Sequence, residues 1–348
     1  RMYGPDTWWL MNGEWRRTYG VSHNQNTDLQ WETKKEYNIG LDFAILEGNV
    51  YGRFDVFRRD VDDLIYDISV PQPPAIHDKT TMNVGVLTNA GWEAEISWNA
   101  VRNTNFQYST TFIGSSYKSK LVNLWGNQTF WDRKSFPAPG SPGNAVRLFP
   151  GEPIGKFYVW EFAGFTEDGN WMLKGADGEV FDVTERTKTD NDKKFIGNAI
   201  PKFIMSWNNQ LSFKNFDMNV YFRAWTGHDI FNMPNFYYGI PLEGRNVLAE
   251  NYDKQKHITG EKELSDYWIE KGDFLKLDVL SIGYTFNLPG SEYLKGLRIY
   301  ATGQNLLVLT NYSGLNPEVN INGLDPGFED RATYPQTRTF MLGVQANF

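Results

Sequence analysis

The sequence predicts an all-β protein: a transmembrane antiparallel β-barrel of about nine to eleven strands that is itself part of a larger barrel. Three observations point there. Apolar residues recur with a period of two along most of the chain, short and long connections alternate, and no long amphipathic helix is present. Each such segment has one greasy face and one polar face, which is how a strand divides lipid from a wet lumen.

The elements follow in order. Ile39, Leu41, Phe43 and Ile45 alternate with Asn38, Gly40, Asp42 and Ala44. Trp92, Ala94, Ile96 and Trp98 alternate with Gly91, Glu93, Glu95 and Ser97. Phe216, Met218, Val220, Phe222 and Ala224 alternate with Asp217, Asn219, Tyr221 and Arg223, and Phe340 to Phe348 closes the chain in the same manner. The expected strands are 36–47, 49–60, 84–100, 104–118, 155–165, 201–213, 216–227, 273–288, 296–308 and 337–348. In 273–288 the phase flips near Val279. Either a β-bulge lies there, or the upper half of the strand rises above the membrane into protein contacts.

Tight connections fall at 47–49, 101–105, 214–215 and 287–295, and long ones at about 61–83, 119–154, 166–200, 228–272 and 309–336. The long ones read as extracellular loops, as does 1–30, and the tight ones as periplasmic turns. Parity then demands an odd number of spans. The segment 155–165 belongs to an extracellular hairpin, giving nine, or it pairs with a further strand near 178–187, giving eleven.

Composition removes other classes. The 34 Lys+Arg against 42 Asp+Glu leave a net charge of −8, with no basic stripe for phosphates, so nucleic acid is not a partner. With no Cys there is no disulfide framework, thiolate zinc site or cysteine nucleophile. Apolar runs such as Leu306–Leu309 are far too short for a membrane helix. The mean hydropathy of −0.51 is that of a soluble protein, but alternating barrel strands average their two faces to a similar figure. Aromatics are abundant, with 24 Phe, 18 Tyr and 13 Trp. The start, Arg1-Met2-Tyr3-Gly4, has neither an initiator Met nor a signal peptide, so the chain reads as processed or as an interior piece.

Seven blocks in order resemble the SusC/RagA-like TonB-dependent outer-membrane transporters of Bacteroidetes, over roughly residues 24–348 and at the C-terminal part of that family's barrel. They are Leu29-Gln30-Trp31-Glu32 with Asn38-Ile39-Gly40-Leu41-Asp42-Phe43; Asn83-Val84-Gly85 with Asn89-Ala90-Gly91-Trp92-Glu93; Gly155-Lys156-Phe157-Tyr158; Ile196-Gly197-Asn198 with Pro201-Lys202-Phe203; Gly272-Asp273-Phe274-Leu275 with Gly283-Tyr284; Gly303-Gln304-Asn305-Leu306 with Asn316-Pro317-Glu318; and Tyr334-Pro335-Gln336 to the end. The resemblance implies a plugged barrel of about 22 strands in the outer membrane of a Gram-negative bacterium. It also implies import of oligosaccharides or oligopeptides, a SusD-like surface lipoprotein as lid, and energy delivered by TonB through the plug. The plug domain, TonB box and rest of the barrel are expected in a preceding part. The family's "D.NgDG" stretch has no counterpart in 166–194, so no calcium is carried over, and no cofactor or metal is expected.

The loops hold Trp125, Trp131, Trp160, Trp171, Tyr237, Tyr238, Trp268 and Tyr312, whose rings suit stacking on sugars, gripping peptides or docking a lid, or else pack the loops themselves. Trp207 is expected in the interfacial girdle. Asp42, Glu93, Glu95, Asp217 and Arg223 are charged, so lipid excludes them and they face the lumen, where they would grip the plug. Phe348 is, on the resemblance, the aromatic signal read by the barrel assembly machinery; otherwise it is a lipid-facing side chain. Glu93 and Glu95 look like an acid/base pair without a positioned partner, and His23, His77, His228 and His257 lack metal-ligand spacing. No enzyme is expected. The rival readings are a secreted β-rich glycoside hydrolase and a carbohydrate-binding module.

Overall fold

Nine strands form one sheet: β1 (Thr33–Ile45), β2 (Val50–Asp62), β3 (Gly85–Arg102), β4 (Phe106–Leu124), β5 (Phe203–Phe213), β6 (Phe216–Thr226), β7 (Phe274–Asn287), β8 (Gly296–Thr310) and β9 (Thr339–Asn347). This computed structural model describes residues 3–21, 23–126, 128–136, 142–241, 246–290 and 293–348; the expected connections 119–154, 228–272 and 287–295 include residues outside that set. Spatial order equals chain order throughout, and every neighbouring pair is antiparallel. A meander of this kind puts every short turn at one end and every long connection at the other.

Register fixes the faces. Ile39 stands opposite Val56, Val56 opposite Trp92, and Trp92 opposite Ser116. Further along, Trp207 pairs with Phe222, Phe222 with Leu277, and Leu277 with Leu307. The apolar residues thus form rungs on one face, where Ile39 is 81% and Leu342 87% exposed. A water-soluble sheet would hide that face; a barrel wall gives it to lipid. The phase flip in β7 is a bulge: Leu277 opposes Phe222 but Val279 opposes Tyr221, which leaves Asp278 as the extra residue. Leu275, Leu277, Leu280 and Ile282 then all share the apolar face. At Gly52 a Cβ would come 2.2 Å from the Glu95 carbonyl and 2.9 Å from the Phe43 ring, so only glycine lets these strands and that ring close up.

The aqueous core lies outside the wall. The long connections fold together into a cap at one end of the sheet. Its centre is a four-stranded sheet of Phe157–Phe165, Trp171–Lys174, Val180–Asp182 and Lys193–Ile196. Segment 155–165 therefore belongs to the cap and the wall has nine strands; Val180–Asp182, in the region considered for an eleventh span, is also a cap strand. Phe157, Trp171, Leu173, Phe231, Phe236, Leu264 and Trp268 are buried together in the cap. The stretch expected as an extracellular loop at 1–30 holds a hairpin, Tyr3–Met11 with Glu14–Val21, turned at Asn12-Gly13. Asn24 and Asn26 then tie the chain to the hairpin Ile65–Ser69/Lys79–Asn83 through His77 O (2.7 Å), Lys79 O (2.8 Å) and Thr81 O (3.0 Å).

Candidate functional site: the polar face beneath the cap

Two rungs of the polar face build the upper chamber. Phe57, Gly91 and Tyr117 lie on one, and Arg59, Asn89 and Ser119 on the next. The Arg59 guanidinium is held by Glu36 in a two-point contact at 3.1 and 3.0 Å, and the Ser119 hydroxyl donates to Asn89 Oδ1. From above, Tyr66, Ile200 and the loop Ile321–Leu324 close down on these rungs. The half-open cavity between them measures about 420 Å3 and also takes in Glu93. Aromatic walls with a few amide, hydroxyl and charged groups are the composition of a small-ligand pocket of ordinary size. On the lower rung Gly91 lets β3 and β4 close up, since a Cβ there would sit 2.7 Å from Tyr117 Cβ and 2.4 Å from the Ser116 carbonyl.

The charged residues expected on the lumen side all occupy this polar face. Asp42 and Glu95 border one depression with Arg53, which pairs with Glu95 at 3.0 Å. Asp217 takes Arg298 in a two-point contact at 2.9 and 2.5 Å. Arg223 reaches the bulge residue Asp278 at 2.5 Å and Glu318 of the 311–338 connection at 2.7 Å. Lys276, only 2% exposed, completes this knot with Glu318 at 2.6 Å and Gln336 at 2.8 Å. Glu318 stands in one of the resembling blocks, but no site role was assigned to it, to Lys276 or to Asp278, because their partners lie in separate segments.

The aromatics divide. Trp160, Trp171, Tyr237, Trp268 and Tyr312 are buried, so for these five the expected substrate or lid contact gives way to the other reading, and their rings pack the cap. Trp171 meets Phe162, Phe165, Tyr267 and Trp268 at 4.9–5.7 Å. Tyr312 donates to Glu329 at 2.7 Å, and burial pushes both the phenol and the Glu329 carboxyl above their usual ranges. Burial likewise raises the Glu263 carboxyl, even with Lys188 Nζ at 2.6 Å. Trp125 and Trp131 are half-buried and edge-on at 5.3 Å, beside Tyr66; Arg133 lies 4.6 Å over the Trp131 ring and 4.4 Å over Tyr66. Tyr238 alone of the eight is exposed, at 37%. Phe348 lies beyond the end of β9, 82% exposed. Among the described residues no cluster of three or more His, Cys, Asp or Glu could hold a metal.

Residues 2–306 match the family described as TonB dependent receptor-like, beta-barrel. The chain belongs to that family. Among its relatives, TonB-dependent receptor P3 of Formosa agariphila is 32% identical, with 93% of this chain and 35% of the relative covered. TonB-dependent receptor SusC of Bacteroides thetaiotaomicron is 27% identical, with 93% of this chain and 32% of SusC covered. The fold is similar to that of the RagAB peptide transporter, with a TM-score of 0.79 and 18% identity over 98% of this chain and 38% of that one. The chain thus spans about a third of the length of the relatives it matches. The nine-stranded sheet is a portion of a larger TonB-dependent barrel, with two free edges at β1 and β9.

Proposed function

We propose that this chain supplies wall and extracellular loops to an outer-membrane importer that takes up oligosaccharides or oligopeptides. It does so with a SusD-like lipoprotein closing over the cap and TonB acting through a plug carried elsewhere in the protein. The observation that carries this reading is the inverted sheet: apolar face outward, paired charges on the other face, and residues of the long connections, such as Tyr66, Ile200, Glu318 and Ile321–Leu324, folded over that polar face. Substrate would enter past Tyr238, Trp125 and Trp131 and meet the chamber of Phe57, Tyr66, Asn89, Glu93 and Tyr117. Asp42, Glu95, Asp217 and Arg223 would present a hydrated wall to the plug. Phe348 would serve barrel assembly, and its deletion in the full-length protein should lower the amount inserted in the outer membrane.

The test is uptake by the source bacterium of a labelled panel of oligosaccharides and oligopeptides. Deleting the gene for the full-length protein should abolish growth on one class, and loss of TonB should do the same. Normal uptake of every class in the deletion strain would sink the reading. Recovery of the full-length protein in the soluble fraction without detergent, or hydrolysis of a glycan by the purified protein, would do so as well.

A further inference from the structure

β4 and β5 pair rung by rung from Phe106 opposite Phe213 up to Ser115 opposite Ile204. Above that rung they part. β4 runs on and takes a different neighbour: Ile154 N donates to Ser119 O at 2.9 Å, and Lys120 bridges to Pro153. The parting leaves a cavity of about 210 Å3 in the seam, lined by Ser116, Lys118, Lys156, Asn198 and Lys202 among others. Three lysines border it and no carboxylate does. Lys156 is shared with Glu152 at 3.0 Å, whereas Lys118 and Lys202 have no ion-pair partner among the described residues.

The position of this basic cavity matters. Ser116 and Lys118 continue the outward phase of Phe112 and Gly114, since Ser116 pairs with Trp92 and Lys118 with Ala90. Immediately below, on the same seam, a groove of about 220 Å3 runs across the apolar face, lined by Phe112, Met205, Trp207, Phe222, Ala224 and Leu275. From Lys202 to Met205 is about 10 Å of strand. A soluble anion would use only the upper half of this arrangement, and a bare hydrocarbon only the lower. A lipid with a phosphate on its headgroup fits both, because cations at the rim of a membrane attract anionic lipid while the wall below takes the acyl chain.

We propose that the β4–β5 seam binds a phosphorylated lipid of the outer leaflet, its phosphate on Lys118, Lys156 and Lys202 and one acyl chain along Phe112, Met205 and Trp207. This rests on the outer-membrane reading above. The experiment is native mass spectrometry of the full-length protein in detergent, titrated with a monophosphorylated lipid A-type glycolipid. Wild type should retain the lipid, and the double variant Lys118→Gln/Lys202→Gln should bind it roughly 30-fold more weakly. The variant Lys118→Arg/Lys202→Arg should bind like wild type, and all three should show the same heat-modifiability, a mark of the folded barrel. The proposal fails if the dephosphorylated lipid binds equally well, if the Gln variant keeps its affinity, or if the Arg variant loses it. Displacement by inorganic phosphate would also overturn it, by making this a soluble-anion site. Density-gradient fractionation of the source membranes is read separately: protein in the outer membrane without bound lipid defeats only this proposal, and protein absent from that fraction defeats the reading beneath it.

Discussion

Trp268 has no exposed surface, donates its indole N–H to the Glu263 carbonyl at 2.7 Å, and touches Tyr267, Phe236 and Trp171 at 4.8–5.7 Å. Trp268→Ala removes a fully buried indole from a packed cap and should destabilise it by about 3–5 kcal/mol. Amide exchange should then quicken across 157–196 and 229–271 while the wall strands stay protected; Tyr238→Ala, at an exposed ring, should leave both unchanged. His228 makes a second prediction at this scale. It is fully buried, with Asp273 3.8 Å from Nδ1, and burial holds its imidazole below the ordinary value. The folded form therefore keeps it neutral, while an opened form takes up a proton below the ordinary value of about 6.5. The sign follows: cap stability is unaffected by this group above that pH and falls as pH drops below it. The Gly272 amide, which donates to the His228 carbonyl at 2.9 Å, should lose protection on acidification, and His228→Gln should flatten that dependence.

At the scale of elements, the bulge in β7 and the charged knot beside it act together. Deleting Asp278 removes the extra residue and leaves Leu277, Val279 and Leu280 in plain alternation opposite Phe222, Tyr221 and Val220, so Leu280, Ile282 and Tyr284 keep the apolar face while Arg223 loses one of its two carboxylates. The expected outcome is a full-length protein that still reaches the outer membrane, read from membrane fractions, with faster amide exchange around Arg223; loss of insertion would show that the bulge itself is needed. Glu318→Ala leaves Lys276 buried with one anion fewer, a change that typically costs about 3–5 kcal/mol when a buried pair is broken; exchange should rise in 311–338 before it rises in β7. The bulge was legible because a break in a period-two pattern shows in a single strand. The wall as a whole was legible for the same reason. The cap was legible only in part: 155–165 was expected as a strand, in an extracellular hairpin or paired near 178–187, whereas Trp171–Lys174 is short and pairs with partners set by tertiary packing, so neither alternation nor length betrays it. The hairpin 3–21, inside the stretch expected as an extracellular loop, does carry a signal of its own, the Asn12-Gly13 turn between aromatic runs. Of the site, the place of Asp42, Glu93, Glu95, Asp217 and Arg223 on the polar face was legible from alternation, whereas five of the eight loop aromatics are cap interior: an aromatic in a loop looks the same in sequence whether it faces a ligand or a core.

The whole molecule is constrained by parity. Nine strands in an antiparallel meander leave β1 and β9 running in the same direction. Joining those two edges would require one parallel seam, and bacterial single-chain barrels have even strand numbers. The rest of the protein must therefore contribute an odd number of strands between β9 and β1, which a barrel of about 22 satisfies. These 348 residues hold no Cys, so with any Cys elsewhere in the protein replaced by Ser the edges can be tested by cross-linking. In the full-length protein, Leu41→Cys with Val344→Cys should stay reduced under oxidation, because intervening strands hold these edges far beyond the roughly 4.4–6.8 Å that a disulfide spans between Cα atoms. Val56→Cys with Ile39→Cys, opposite each other on β2 and β1, should cross-link readily. A Leu41–Val344 disulfide in membrane-inserted protein would mean that the sheet closes on itself, and the larger barrel would have to be abandoned.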